Sequence, residues 1–222
     1  MTAFPNAPNL ARGGIVVMDP ITGRVIRIVV LQYNADTLNR TLQVRAAGAE
    51  SGDRLEALRL KGPPSETIKL DAELDATDQL ELPDLPRNAP VASNGLFPAL
   101  AALETLVYPS VDELVAHDRL ARGGQIEIAP LEAPLTIFVW SRNRILPVRI
   151  TEFSVAEEAF DSSLNPTRAK VSLGMRVLTV DDLGFRHRGG ALSLLAHRQK
   201  ERFALVQTGQ LGSLGITAIP EG

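Results

Sequence analysis

The side chains in this sequence best suited to proton transfer or metal binding are three histidines, His117, His187 and His197. Zinc hydrolases set two imidazoles at HExxH spacing, so that both rings reach one metal from a single helix face. Neither HxxxH nor HExxH spacing occurs here, and no acidic cluster accompanies the histidines. Cysteine is absent, which removes thiolate metal sites, thiol nucleophiles and disulfides together. The best-placed carboxylate pairs are Glu157-Glu158 and Asp181-Asp182. Adjacent residues on a strand point to opposite faces, so neither pair forms an acid/base dyad by itself.

The basic, glycine-rich stretch GFRHRGG at 184–190 has the composition of a phosphate-binding loop. It lacks the GxxxxGK[ST] and GxGxxG spacings, and a solvated loop or subunit contact is the simpler reading. No GxSxG nucleophile turn is present. Arg142, Arg144, Arg149, Arg168 and Arg176 are not interleaved with the exposed aromatics that single-strand nucleic-acid binding uses. Trp140 reads as core. The expectation is a protein that is not an enzyme, with no catalytic, cofactor-binding or metal-ligating set.

The totals agree with that expectation. A chain of 222 residues can bury one good core, or one large and one small. A net charge of −3 argues against general affinity for nucleic acid or an anionic membrane. Charge is unevenly distributed: residues 1–141 hold 12 Lys/Arg against 18 Asp/Glu, and residues 142–202 hold 11 against 7. The basic segment could meet an acidic partner, a lumen or plain solvent. The opening residues lack the charge and apolar run of a secretory signal, and no stretch approaches the ~20 apolar residues of a membrane span. Cytoplasmic synthesis is expected, with retention there or release by a route without a signal peptide.

Hydrophobic period places the elements. Residues 1–12 read as an irregular arm, 13–205 as the principal domain and 206–222 as a tail. Strands are expected over 13–18, 24–32 and 38–46. Ile26, Ile28, Val30 and also Val29 and Leu31 are apolar, which implies burial on both sides of the second strand near its end. Leu38, Leu42 and Val44 point inward on the third. A linker follows over 47–64, then a half-buried strand over 67–74. The prolines of 82–90 read as irregular structure. A helix is expected over 96–107, capped by Ser93 or Asn94, with a shorter one over 111–119. A buried strand over 135–140, a turn at 181–184, a helix over 191–203 and a last short strand in the tail complete the chain. The order lacks regular βαβ alternation, so the fold class is α+β, mainly an antiparallel β-barrel or sandwich with a long hairpin and two flanking helices.

The hairpin over 145–180 is the strongest feature. Its arms exceed the usual strand of about 5–6 residues. Placing Phe160 opposite Pro166 pairs Glu158 with Arg168, Val155 with Val171 and Phe153 with Leu173. One face then carries Phe153, Val155, Val171, Leu173 and Met175, the candidate packing face. The other carries Glu152, Ser154, Glu158, Arg168, Lys170, Ser172 and Arg176, the candidate ring or lumen face. The apolar phase changes between Ile150 and Phe153, which calls for a bulge or a passage between sheets near Thr151-Glu152. Either an ordinary hairpin within a sandwich or an arm that packs on a neighbour fits this pattern.

Three segments together resemble the tube-like baseplate protein of phage-tail-like contractile injection systems. Within 13–41, Gln32, Tyr33, Asn34, Leu38 and Arg40 match the family's Gln-aromatic-Asn-Pro-x-x-Leu-x-Arg motif, with Ala35 in place of the proline. The segment PSETIKLDAELDATD at 64–78 has a similar rhythm to its family counterpart, and the hairpin matches best. The resemblance implies a tail-tube-type fold and a structural subunit of a hexameric ring. Such a ring joins the spike-hub protein to the inner tube protein, touches other baseplate proteins and initiates tube polymerisation. It would assemble in the cytoplasm as part of a phage-tail-like particle, with release by lysis one route outward. The peptidoglycan-binding LysM module of many relatives has no counterpart in these 222 residues. A small carbohydrate- or peptidoglycan-binding β-domain is the alternative, though one Trp and two Tyr offer little aromatic platform.

Overall fold

A computed structural model describes residues 11–46, 58–122 and 133–220. Seven strands form one sheet, every neighbouring pair antiparallel. They are β1 Gly14–Met18, β2 Val25–Val30, β3 Leu38–Gln43, β4 Ser65–Asp75, β5 Leu135–Ser141, β6 Arg144–Phe160 and β7 Pro166–Val177. Across the sheet the order is β2-β1-β5-β6-β7-β4-β3. The α+β class and antiparallel pairing hold, but among the described residues β2 and β3 are edges. The sheet is therefore open where a closed barrel would bond its first strand to its last.

Alternation decides which face is buried. On β4, Glu66, Ile68, Leu70, Ala72 and Leu74 are buried; on β7, Ala169, Val171, Leu173, Met175 and Val177 are. Cross-strand partners such as Ile68 and Met175, or Leu70 and Leu173, carry the apolar face continuously from one strand to the next. Leu96, Leu100 and Leu103 close over this face, and Leu31 enters it as the chain leaves β2 for the far edge.

The helical content exceeds two flanking helices. The described helices are α1 Thr77–Leu80, α2 Ala89–Asn94, α3 Phe97–Glu104, α4 Val111–Arg122, α5 Val180–Leu183 and α6 Arg188–Val206. The expected helix over 96–107 is the shorter α3, and it is separated from α2 by Gly95, whose φ of 56° puts it in the left-handed region. A Cβ there would stand 2.5 Å from the Pro166 carbonyl oxygen, so glycine alone fits. Neither Ser93 nor Asn94 caps α3: Ser93 lies within α2, and Asn94 donates its amide to the Pro90 carbonyl.

The prolines of 82–90 do not keep that stretch irregular. Pro86 opens a 3₁₀ turn, and Pro90 stands in the first turn of α2, where its missing N–H breaks no helical bond. The acidic pair at 181–182 is not a simple turn either. Thr179 and Asp182 form a reciprocal capping box that winds α5. In the tail, Leu211–Leu214 is a 3₁₀ turn where a strand was expected. All but the last two residues of the arm over 1–12, and most of the linker, 47–57, lie outside the described residues.

Candidate functional site in the hairpin and sheet edges

The hairpin register follows the sequence reading with one exception. Phe160 pairs with Pro166, Val155 with Val171 and Phe153 with Leu173. The phase change is a bulge: Ile150 pairs with Met175 and Glu152 with Gly174, leaving Thr151 unmatched. The exception is the tip, where a second irregularity skips Glu158 and sets Ala159 opposite Arg168. Arg168 turns to β4 instead, and its Nε lies 3.1 Å from Asp75 Oδ2. The turn itself is organised by Asp161, whose carboxylate accepts the N–H groups of Ser163 and Asn165 and the Asn165 amide. The Asn165 side chain and backbone N–H hold the Asp161 carboxyl below the usual carboxylate range.

On the packing face, Val171, Leu173 and Met175 are fully buried, while Phe153 and Val155 are half-buried. On the polar face, Ser154 lies opposite Ser172, and Ser172 donates to Asp71 Oδ1 at 2.5 Å. Lys69 on β4 reaches Glu152 on β6 at 2.6 Å. Arg176 bonds Asp182 at the same end of β7 as α5. Lys170 pairs in register with Glu73. Arg168, Lys170 and Ser172 of β7 thus lie beside Asp75, Glu73 and Asp71 of β4 within the same chain.

The edges show a different surface. On β2, Val25, Ile26, Ile28 and Val30 are all exposed, from 47% to 61%. Burial on both sides was expected there; only Val29 and, just beyond, Leu31 are buried. Arg27, the sole charge of β2, is drawn away from the edge to the Thr105 hydroxyl at the end of α3. On the opposite edge, Leu42 of β3 and Val44 beyond it are exposed, contrary to the inward placement expected of them. Both strands are six residues long.

The residues of the QYN-x-x-x-L-x-R stretch serve as internal locks. Gln32 accepts the Asp75 N–H through Oε1 at 2.9 Å and donates Nε2 to the Asp75 carbonyl at 2.6 Å. Asn34 does the same at the start of β1, accepting from Gly13 N–H and donating to the Ala11 carbonyl. Leu38 packs against the core. Arg40 binds Glu66, with Nη2 2.6 Å from Oε1. Lys200 of α6 holds the other carboxylate oxygen at 2.9 Å. Burial pushes the Glu66 carboxyl up, but the hydrogen bonds from Lys200 and Arg40 outweigh it and keep the group below its ordinary range. Sequence reasoning passed over Glu66, although its parity with Ile68 and Leu70 marks a carboxylate on the core face.

The remaining candidates do not converge. His117 sits on α4, and His187 is the N-cap of α6, its Nδ1 accepting Gly189 N–H at 3.1 Å. His197 stands one turn from Glu201 on α6. Asp181 is paired with Arg45, and Asp182 with Arg176 and Thr179. Among the described residues no group of His, Cys, Asp and Glu is arranged to hold a metal ion, and no helix is long and apolar enough to cross a membrane. Trp140 is less buried than expected: it stacks on Phe138 at 5.9 Å and walls a surface cavity. No protein-family model and no curated protein matches the chain.

Proposed function

We propose that this protein is a structural subunit that assembles edge to edge into a ring, of the kind that starts an inner tube in a contractile injection system baseplate. One observation carries the reading. Among the described residues a single antiparallel sheet ends in two unpaired edges of equal length, and the β2 edge is apolar with its only charge folded back. Natural monomers blunt such edges with charge or proline, because an open edge templates pairing with another chain. Pairing β2 of one copy with β3 of the next is a head-to-tail contact, and repetition of it closes a ring when the rotation permits. Six copies, a tail-tube-type barrel shared between them, and inner tube and spike-hub proteins on either side come from the family resemblance. In this role the chain performs no chemistry.

Electron microscopy of particles from a strain lacking the protein tests the proposal. Baseplates without tubes are expected; normal tubes and sheaths in its absence would sink the initiator reading.

A further inference from the structure

At the end of the sheet where β4 begins, a cavity of about 360 Å³ opens between β3, the β5–β6 turn and α6. Its walls carry Arg40, Arg144 and Lys200 together with Trp140, Phe203 and Asn143. The carboxylate of Glu66 binds two of those three cations, leaving the charge unbalanced in favour of the positive. Arg144 has no hydrogen-bond or ion-pair partner among the described residues. Desolvation, and then the charge of Arg40, disfavour its ionised form, with Glu66 offsetting only part. A guanidinium stays charged at neutral pH even so, and an entering anion would give this partly buried cation a partner.

We infer that this cavity is a docking site for an acidic side chain of a partner polypeptide, the carboxylate meeting Arg144 and its apolar neighbours meeting Trp140 and Phe203. A guanidinium beside an aromatic wall suits a carboxylate on an apolar stem better than a bare anion. The surroundings favour a polypeptide over a free metabolite. Beyond Phe203, which is itself half exposed, α6 continues into Leu205 and Val206, exposed by 77% and 82%. A small ligand would leave these uncovered, whereas a peptide with apolar residues flanking its acid would cover them. Residues 207–220 carry no charge and lie exposed, so this stretch of the chain does not supply the acid. The inference stands on the cavity and the exposed end of α6, and holds whether or not copies pair through their edges.

Trp140 is the only tryptophan in the chain, so its fluorescence reports on this cavity. Full-length protein is titrated with acetyl-Leu-Glu-Leu-amide, its glutamine analogue, hydrocinnamate and inorganic phosphate. The glutamate peptide is expected to shift the Trp140 emission saturably, and to bind roughly tenfold more tightly than the glutamine peptide, the scale of one charged hydrogen bond. Arg144→Gln should abolish that difference without lowering the melting temperature, because it removes a repelled charge; Arg144→Lys should keep part of it. Equal binding of the two peptides, or unchanged emission with every probe, overturns the proposal. Tighter binding of hydrocinnamate or phosphate than of the glutamate peptide overturns its polypeptide source in favour of a free anion.

Discussion

Lys69 and Glu152 lie on strands that are not neighbours, yet their charged ends stand 2.6 Å apart. Gly174 lies between them, paired with Lys69 on one side and Glu152 on the other. Because β7 has no side chain at that point, the two flanking residues meet over it. A Cβ on Gly174 would come within 2.8 Å of the Glu152 Cβ. The glycine in the middle of a long strand is thus explained by a close approach on the polar face. Both partners are more than half exposed, so the ion pair itself contributes at most about 1 kcal/mol.

Gly174→Ala is expected to destabilise the protein by about 1–3 kcal/mol, the usual cost of forcing a methyl into occupied space. Urea denaturation measures it. Glu152→Gly in the same chain should recover part of the loss, because the clash is with that residue's Cβ. Additive losses would contradict the geometry.

Glu66 ties β3, β4 and α6 together, and its depressed pKa sets a pH dependence. A carboxyl whose folded pKa lies below its unfolded value stabilises fully above the unfolded value. The contribution then fades as pH falls through the folded one. Stability should therefore decline on acidification below about pH 4.5, the ordinary glutamate value. Glu66→Gln should flatten that acid limb in melting curves taken across pH. At neutral pH it should cost about 2–3 kcal/mol, short of a fully buried broken pair because Lys200 is half exposed.

Gln32 uses both ends of its amide on the backbone of one residue, Asp75. Gln32→Glu keeps the acceptor but replaces the donor with an oxygen facing the Asp75 carbonyl. A loss of about 1–3 kcal/mol is expected from the unsatisfied, repelled pair. Thermal melting reads this directly, and an unchanged midpoint would show that the amide lock carries no stability.

Charge on the β2 edge separates folding from assembly. Ile28→Lys places an ammonium on a side chain that is 61% exposed, and should alter stability by no more than about 0.5 kcal/mol. The same change should abolish edge-to-edge association, since charged edges are how sheets avoid pairing. Sedimentation at increasing concentration, beside urea denaturation, makes the comparison. Undiminished self-association in the variant would remove β2 from the interface.

The antiparallel α+β character, the buried parity of β4 and β7, and the bulge at Thr151 were legible in the residues. Each is a local consequence of a period of two: Ile68, Leu70, Ala72 and Leu74 share one face whatever strand lies beside them. Even the phase shift from Ile150 to Phe153 is written in adjacent residues. The tip register was not, because Arg168 had a choice between Glu158 across the hairpin and Asp75 on β4, and the order of strands settled it. The same order made β2 an edge. Five apolar residues in a row of six read as a buried strand, but burial depends on what lies alongside, which no local pattern encodes. Glu66 and Lys200, separated by 134 positions, meet only because α6 crosses the end of the sheet. Local pattern was enough for the buried parity of β4 and β7, but the assembled fold set which strands became neighbours, which edges stayed open and which distant charges met. Side-chain parity is a property of a few consecutive residues, whereas strand order is a competition among all of them.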